Sequence, residues 1–178
     1  MTTLETLLHD PEMAGAWTLV RDRSAITFKI RNMWGLVNVK GRFTDFTGDG
    51  QLSGNEAVSG RVDIRAASID TGIGRRDKHL RSADFFDVDR FGEIGVVVTA
   101  VHPTKGKAAD LRADLTIKGI TAEVTLPVTI TELDDGSIRI TGETKLDRDR
   151  FDLGWNRLGM MSSTATVAAD AIFVRAAQ

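Results

Sequence analysis

Ser68-Ile-Asp-Thr-Gly-Ile-Gly-Arg-Arg-Asp-Lys-His-Leu-Arg-Ser-Ala-Asp-Phe-Phe-Asp-Val-Asp-Arg-Phe91 stands apart from the rest of the 178-residue chain. It joins dense charge, a turn signal and an aromatic pair. Gly72 and Gly74 punctuate it, and Ile73 to Ser82 reads as a short polar helix anchored by Ile73 and Leu80. Phe85 and Phe86 then bring apolar bulk among Asp84, Asp87 and Asp89. On both sides apolar residues recur at every second position, the period of half-buried strands. One charged helical insert in a β chain is the first place to look for function.

Upstream, Ile26, Phe28 and Ile30 share a face opposite Thr27, Lys29 and Arg31. Met33-Trp34-Gly35 interrupts, and Val37 and Val39 resume the alternation. Gly41 and Gly48 flank Phe43 and Phe46, and Val62, Ile64 and Ala66 alternate just before the insert. Downstream, Ile94, Val96, Val98 and Ala100 are read on one face, then Leu111, Ala113, Leu115 and Ile117. Lys118-Gly119 turns the chain into Val124, Leu126, Val128 and Ile130, which predicts a hairpin. Asp134-Asp135-Gly136 is the strongest hairpin turn and leads into Ile138, Ile140, Gly142 and Thr144. A loop carrying Phe151, Trp155, Leu158, Met160 and Met161 precedes a last strand, Thr164 to Val174.

This is an all-β chain of about eight strands with short turns, a single domain over residues 1–178. Up-and-down antiparallel barrels and sandwiches both give this pattern, and periodicity does not separate them. In a barrel, the slim inward positions Ala66, Val96, Val98, Ala100, Ala113 and Gly142 leave room for a ligand. At the N-terminus Thr2 precedes Glu5 in capping-box spacing. Leu4, Leu7 and Leu8 share a helical face, and Asp10-Pro11 ends it. The expectation is a short helix within residues 1–13, docked on the domain.

Hydrophobic residues make up 42% and charged residues 27%, within the range of ordinary globular proteins. A net charge of −2 argues against a nucleic-acid partner, which calls for a basic face. There is no cysteine, so disulfides and thiolate metal sites are excluded. The three histidines, His9, His79 and His102, lack ligand spacing, and no metal is expected. No apolar run reaches membrane-spanning length. The N-terminus lacks a basic segment followed by an apolar one, so a cytoplasmic location is expected.

Ser68-Ile-Asp-Thr-Gly72, Arg76-Asp-Lys-His-Leu80 and Arg81-Ser-Ala-Asp-Phe-Phe-Asp-Val88 resemble the signature of the YceI family of polyisoprenoid-binding proteins. Trp17 with Ser24-Ala-Ile-Thr-Phe28, Gly41-Arg-Phe43 with Phe46-Thr-Gly48, Leu111 to Thr121, and Arg150-Phe-Asp-Leu-Gly-Trp-Asn156 resemble further family segments in the right order. The resemblance implies a lipocalin-like antiparallel barrel whose apolar bore holds an isoprenoid chain, such as a quinone tail or polyprenyl phosphate. It also implies a role in carrying or buffering that lipid, and a homodimer as a common assembly. No cofactor is expected beyond such a lipid. The chain departs from the pattern at Phe91-Gly-Glu-Ile-Gly-Val-Val-Val-Thr99, where Val96 replaces an expected Phe, and at Asp110, where the family tends to have Gly.

Within this frame Phe28, Trp34, Phe43, Phe86, Ile94, Val96, Trp155, Leu158, Met160 and Met161 are the apolar candidates for lining a bore or mouth. Plain core is the competing role for each. Arg76 and His79 are candidates for a head group at the mouth. The competing reading is a solvated helix whose Arg76, Asp77 and His79 bond to neighbouring loop backbone. An enzyme is not expected: His79 and Ser82 share a helical face, but no nucleophile motif accompanies them. The alternative to lipid binding is a structural or interaction module whose barrel is filled by its own side chains.

Overall fold

The computed structural model describes residues 3–53, 57–156, 159 and 161–177. Its elements are α1 (Leu4–His9), β1 (Gly15–Leu19), β2 (Ala25–Asn32), β3 (Val37–Phe43), β4 (Phe46–Leu52), β5 (Val58–Arg65), β6 (Ile69–Asp70) and α2 (Gly74–Arg81). They continue as β7 (Glu93–Pro103), β8 (Ala108–Ile117), β9 (Ile120–Glu132), β10 (Ile138–Asp147) and β11 (Thr164–Arg175).

The sheet runs β1-β4-β5-β7-β8-β9-β10-β11 and closes by antiparallel pairing of β1 with β11, Trp17 opposite Arg175 and Leu19 opposite Phe173. Closure settles the choice between barrel and sandwich. β11 is long enough to pair with β2 as well, Ala165 opposite Ile30 through Asp170 opposite Ala25. β1 and β2 are therefore two halves of one stave, broken at the 3-10 turn Arg21–Arg23. β3 and β4 form the next stave, broken at Thr44 and Asp45. Ten strand segments thus make an eight-staved antiparallel barrel, and the short eleventh, β6, adds to β3 through Arg42 and Phe43.

Turn chemistry fixes the hairpins. Lys118 and Gly119 both take left-handed φ, 52° and 72°, as a two-residue turn between right-twisted strands requires. The β9–β10 connection holds Gly136 at φ 82°. Asp135 accepts hydrogen bonds from the Ser137 amide and hydroxyl, which hold its carboxyl below the usual carboxylate range.

Two differences from the sequence reading concern phase and capping. Val98 lies opposite Ala113 but Ala100 lies opposite Arg112, so the register slips by one residue after Val98. This bulge turns Ala100 to the outer face with Arg112 and gives its inward place to Val101, opposite Leu111. In α1 the cap is Thr3, whose Oγ1 accepts from the Thr6 amide at 3.3 Å; Thr2 lies outside the described residues.

The core falls into two parts along the barrel axis. One gathers Phe43, Phe46, Ile64, Leu80, Phe85, Ile94, Leu115 and Phe151 under α2. The other gathers Leu4, Leu7, Leu8, Met13, Trp17, Leu111, Val128 and Ile130 around α1. Val96, Val124 and Phe173 touch both and form the waist between them. α1 has six residues, too few to be stable alone. It is held by burial of Leu4, Leu7 and Leu8 against the barrel end, as its spacing predicts.

Candidate functional site

α2 spans the predicted insert, with Ile73 and Ser82 as its caps. Leu80 anchors it in the core at 6% exposure, but Ile73 is 53% exposed and anchors nothing. The polar signature around it forms a closed local network. The Thr71 amide and hydroxyl donate to Asp77 Oδ1 at 2.9 and 2.5 Å. Arg76 donates through Nε to Thr71 Oγ1 at 2.8 Å and through Nη2 to the Thr71 carbonyl at 2.9 Å. Asp77 is buried, and these bonds satisfy it. Arg76 thus bonds the Thr71 loop, as the competing reading supposes.

His79 sits at the edge of an aromatic group. Its ring meets Phe85 and Trp155 edge-on, with centroids 5.2 and 4.5 Å away. Its Nε2 lies 2.8 Å from Asp84 Oδ2. The Ser82 hydroxyl donates to the His79 carbonyl at 2.5 Å rather than facing the imidazole, so the two do not form the nucleophile–base contact of a hydrolytic triad.

Other predicted residues pack beneath. Phe28 and Phe43 lie 5.8 Å apart, and Phe43 meets Phe86 edge-on at 5.9 Å. Ile94 is buried in the α2-side core, and Val96 lies at the waist. Trp155 and Met161 pack against the same core, and the Asn156 side chain clasps the Met161 backbone at both its amide and its carbonyl. Arg148 is buried nearby. It donates to the Ser162 carbonyl at 2.9 and 2.7 Å and to the Leu153 carbonyl at 2.6 Å. Burial draws its guanidinium below its ordinary value, and Asp149 and Asp147 oppose that shift. Trp34 alone stands away from this group, 75% exposed at the β2–β3 tip. Leu158 and Met160 lie outside the described residues.

The structure therefore brings most of the predicted residues together, and what they make is a filled half-barrel. The open space is at the other end. A cavity of about 140 Å³ lies in the bore beside Leu7, Leu8 and Met13. All eight staves contribute to its wall, among them Trp17, Leu52, Val58, Val98, Val101, Leu111, Ile130, Ile140 and Phe173. The space exists because two inward positions carry no side chain. Gly50 and Gly60 face each other across β4 and β5. A Cβ at Gly50 would meet only the Ser59 carbonyl, at 3.6 Å. The signal was in the sequence, in Gly48, Gly50 and Gly60 falling on inward-facing strand positions, but a glycine carries no apolar mark for a periodicity reading to catch.

Such a site could hold a hydrocarbon without directional contacts. Its wall is almost wholly apolar, so it favours a hydrocarbon over a polar solute. No group of three or more His, Asp or Glu side chains suited to a metal occurs among the described residues. No helix among them is long and apolar enough to cross a membrane.

Comparison with known proteins agrees with this architecture. The profile of the YceI-like domain matches residues 17–173. A UPF0312 protein of Vibrio vulnificus is 31% identical over 131 residues, which cover 70% of this chain and 69% of that one. A UPF0312 protein of Pseudomonas putida is 39% identical over 106 residues, 58% of this chain. The match spans only 55% of the length of that relative. Among solved structures, Burkholderia cenocepacia BcnA superposes with a TM-score of 0.80 at 21% identity, covering 86% of this chain and 98% of BcnA. A polyisoprenoid-binding domain from Saccharophagus degradans, implicated in plant cell wall breakdown, gives 0.75 at 17% identity, covering 90% and 98%. With a domain profile matched from the closing stave β1 into β11, and a fold shared with these structures, the chain belongs to the YceI-like family.

Proposed function

We propose that the chain binds a polyisoprenoid lipid, of the prenyl quinone or polyprenyl phosphate type, with its hydrocarbon tail in the bore, and that it acts as a carrier or buffer for that lipid. The observation that carries this reading is the apolar cavity lined by all eight staves. Family membership and the isoprenoid-binding domain among the structural neighbours support it. Burial of an isoprenoid tail is worth about 25 cal/mol per Å² of apolar surface removed from water, and this driving force is indifferent to the head group.

The size of the cavity sharpens the proposal. An engineered cavity of about 150 Å³ with an aliphatic and aromatic wall accepts benzene, so the space of about 140 Å³ matches roughly one five-carbon unit. A longer tail needs further room. The α1 side offers it at the lower cost: Leu7, Leu8 and Met13 belong to a short docked segment, whereas Phe43, Phe46, Phe85 and Phe151 are built into the barrel and its α2 cover.

The alternative, a barrel filled by its own side chains and acting as an interaction module, draws on the packed α2 half. One substitution separates the two readings. Gly50→Leu fills the cavity from a position whose Cβ has room. Native mass spectrometry and organic extraction of the purified protein, with thermal shift on added prenols, then compare it with the unaltered chain. Lipid binding by the unaltered chain and its loss in Gly50→Leu support the carrier reading. No extractable lipid and no thermal response in the unaltered chain would leave the filled module.

A further inference from the structure

The β2–β3 hairpin ends in a tip that nothing covers. Among the described residues Trp34 is 75% exposed and Leu36 83%, with Met33 at 45% and Val37 at 44% beside them. Clustered large apolar side chains in water mark an interaction site. Met33 and Trp34 also hold left-handed φ, 51° and 55°, ahead of Gly35. Bulky residues rarely take that conformation.

Behind the tip the outer face is basic. Lys29 sits directly opposite Lys40 in the β2–β3 ladder, and both are exposed. The same row continues through Thr166 to Lys145. Like charges directly opposite one another weaken a ladder, so this arrangement conflicts with the stability of the hairpin that carries it. Arg31 and Arg42 extend the basic face on either side of the row. Arg42 has Asp70 at 3.6 Å, and the acidic groups in the neighbouring positions of β10 are Glu143 and Asp147. Local rules are broken in this way where a partner compensates.

The geometry points to a membrane-docking hairpin: Trp34 and Leu36 enter the interface of a bilayer while the Lys29–Lys40–Lys145 row lies on its anionic phosphate head groups. Trp is suited to the membrane–water interface. An apolar insertion combined with basic residues gives the two signals that hold a protein on an anionic surface. A second copy of the chain fits less well. A two-fold contact through the tip would oppose the lysine row to its own copy, and four side chains at a hairpin tip fall short of the roughly 800 Å² per partner of a stable interface. The inference goes beyond isoprenoid binding and does not depend on it.

Flotation of the full chain with phosphatidylcholine–phosphatidylglycerol vesicles containing no prenyl lipid tests it. The unaltered chain is expected to float with these vesicles at low salt, less so at high salt, and poorly with phosphatidylcholine alone. Trp34→Ser/Leu36→Ser is expected to lower binding by roughly tenfold or more, because it removes the inserted groups. Lys29→Glu places opposite charges across the ladder, so it is expected to raise the melting temperature while weakening vesicle binding. Vesicle binding absent from the unaltered chain, or unchanged in both variants, overturns the inference. A dimer that Trp34→Ser/Leu36→Ser converts to monomer, with no vesicle binding by the unaltered chain, also overturns it and assigns the tip to self-association.

Discussion

At the scale of single residues, the glycines of the barrel wall divide by what a side chain would meet. A Cβ at Gly41 would lie 2.4 Å from Phe28 Cζ and 2.9 Å from Thr71 Cγ2, while Phe28 is itself held against Phe43. Gly41→Ala is therefore expected to lower stability by about 1–3 kcal/mol in denaturant unfolding, whereas Gly50→Ala should leave it near the unaltered value. Charge at the surface gives a second prediction. The bidentate hydrogen bonds from Arg139, 2.9 and 2.7 Å long, hold the Asp170 carboxyl below its ordinary value. A lowered carboxyl stabilises the fold above its unfolded value of about 3.9 and loses that contribution as pH falls through the folded one. Asp170→Asn should thus melt slightly below the unaltered protein at pH 7, with the gap closing below about pH 4. The gap will be small, because the pair is exposed. Residue environments were the least legible level of the sequence. Ile73 and Trp34 look like core by type, and only the paths of β2, β3 and β6 set them in solvent.

At the scale of elements, period and turn signals located almost everything. α2 starts and stops within a residue of its predicted ends, and the Lys118-Gly119 and Asp135-Gly136 turns fall where their chemistry requires. The failures have local causes. The bulge after Val98 resets the face of β7 without any mark in the alternation, since Val98, Ala100 and Val101 are all apolar. The breaks at Arg21–Arg23 and at Thr44 and Asp45, which split each of the first two staves into a pair of strands, leave no gap in the apolar alternation that would mark them. α1 supplies a prediction at this scale. Its six residues are held by three leucines beside an existing cavity, so Leu7→Ala both removes a buried side chain and enlarges the void. A cost of about 2–5 kcal/mol is expected from such a truncation. Amide exchange should show residues 4–9 opening before the strands do.

At the scale of the whole molecule, the barrel has two unlike ends. That contrast was not legible in the sequence, because it arises from which inward side chains of eight staggered staves meet at the same height. The charged insert marks the α2 end, where Phe43, Phe46, Phe85 and Phe151 fill the bore, whereas the space lies at the α1 end where Gly50 and Gly60 coincide. This asymmetry makes ligand length the revealing variable. If the tail occupies the cavity, each added unit should gain affinity by burying more hydrocarbon, about 0.8 kcal/mol per methylene, until the free space is full. With the chain intact, the rise in melting temperature across prenols of increasing length should therefore level off after about one or two units, given the cavity volume. Loosening α1 by Leu7→Ala should move that plateau to longer prenols, because the tail then extends past the helix. A response that climbs steadily with length in the intact chain and is unchanged by Leu7→Ala would place the moving part elsewhere. The α2 end would then have to open, with Phe85 and Trp155 yielding before Leu7 and Leu8, and Trp155 emission would change on binding.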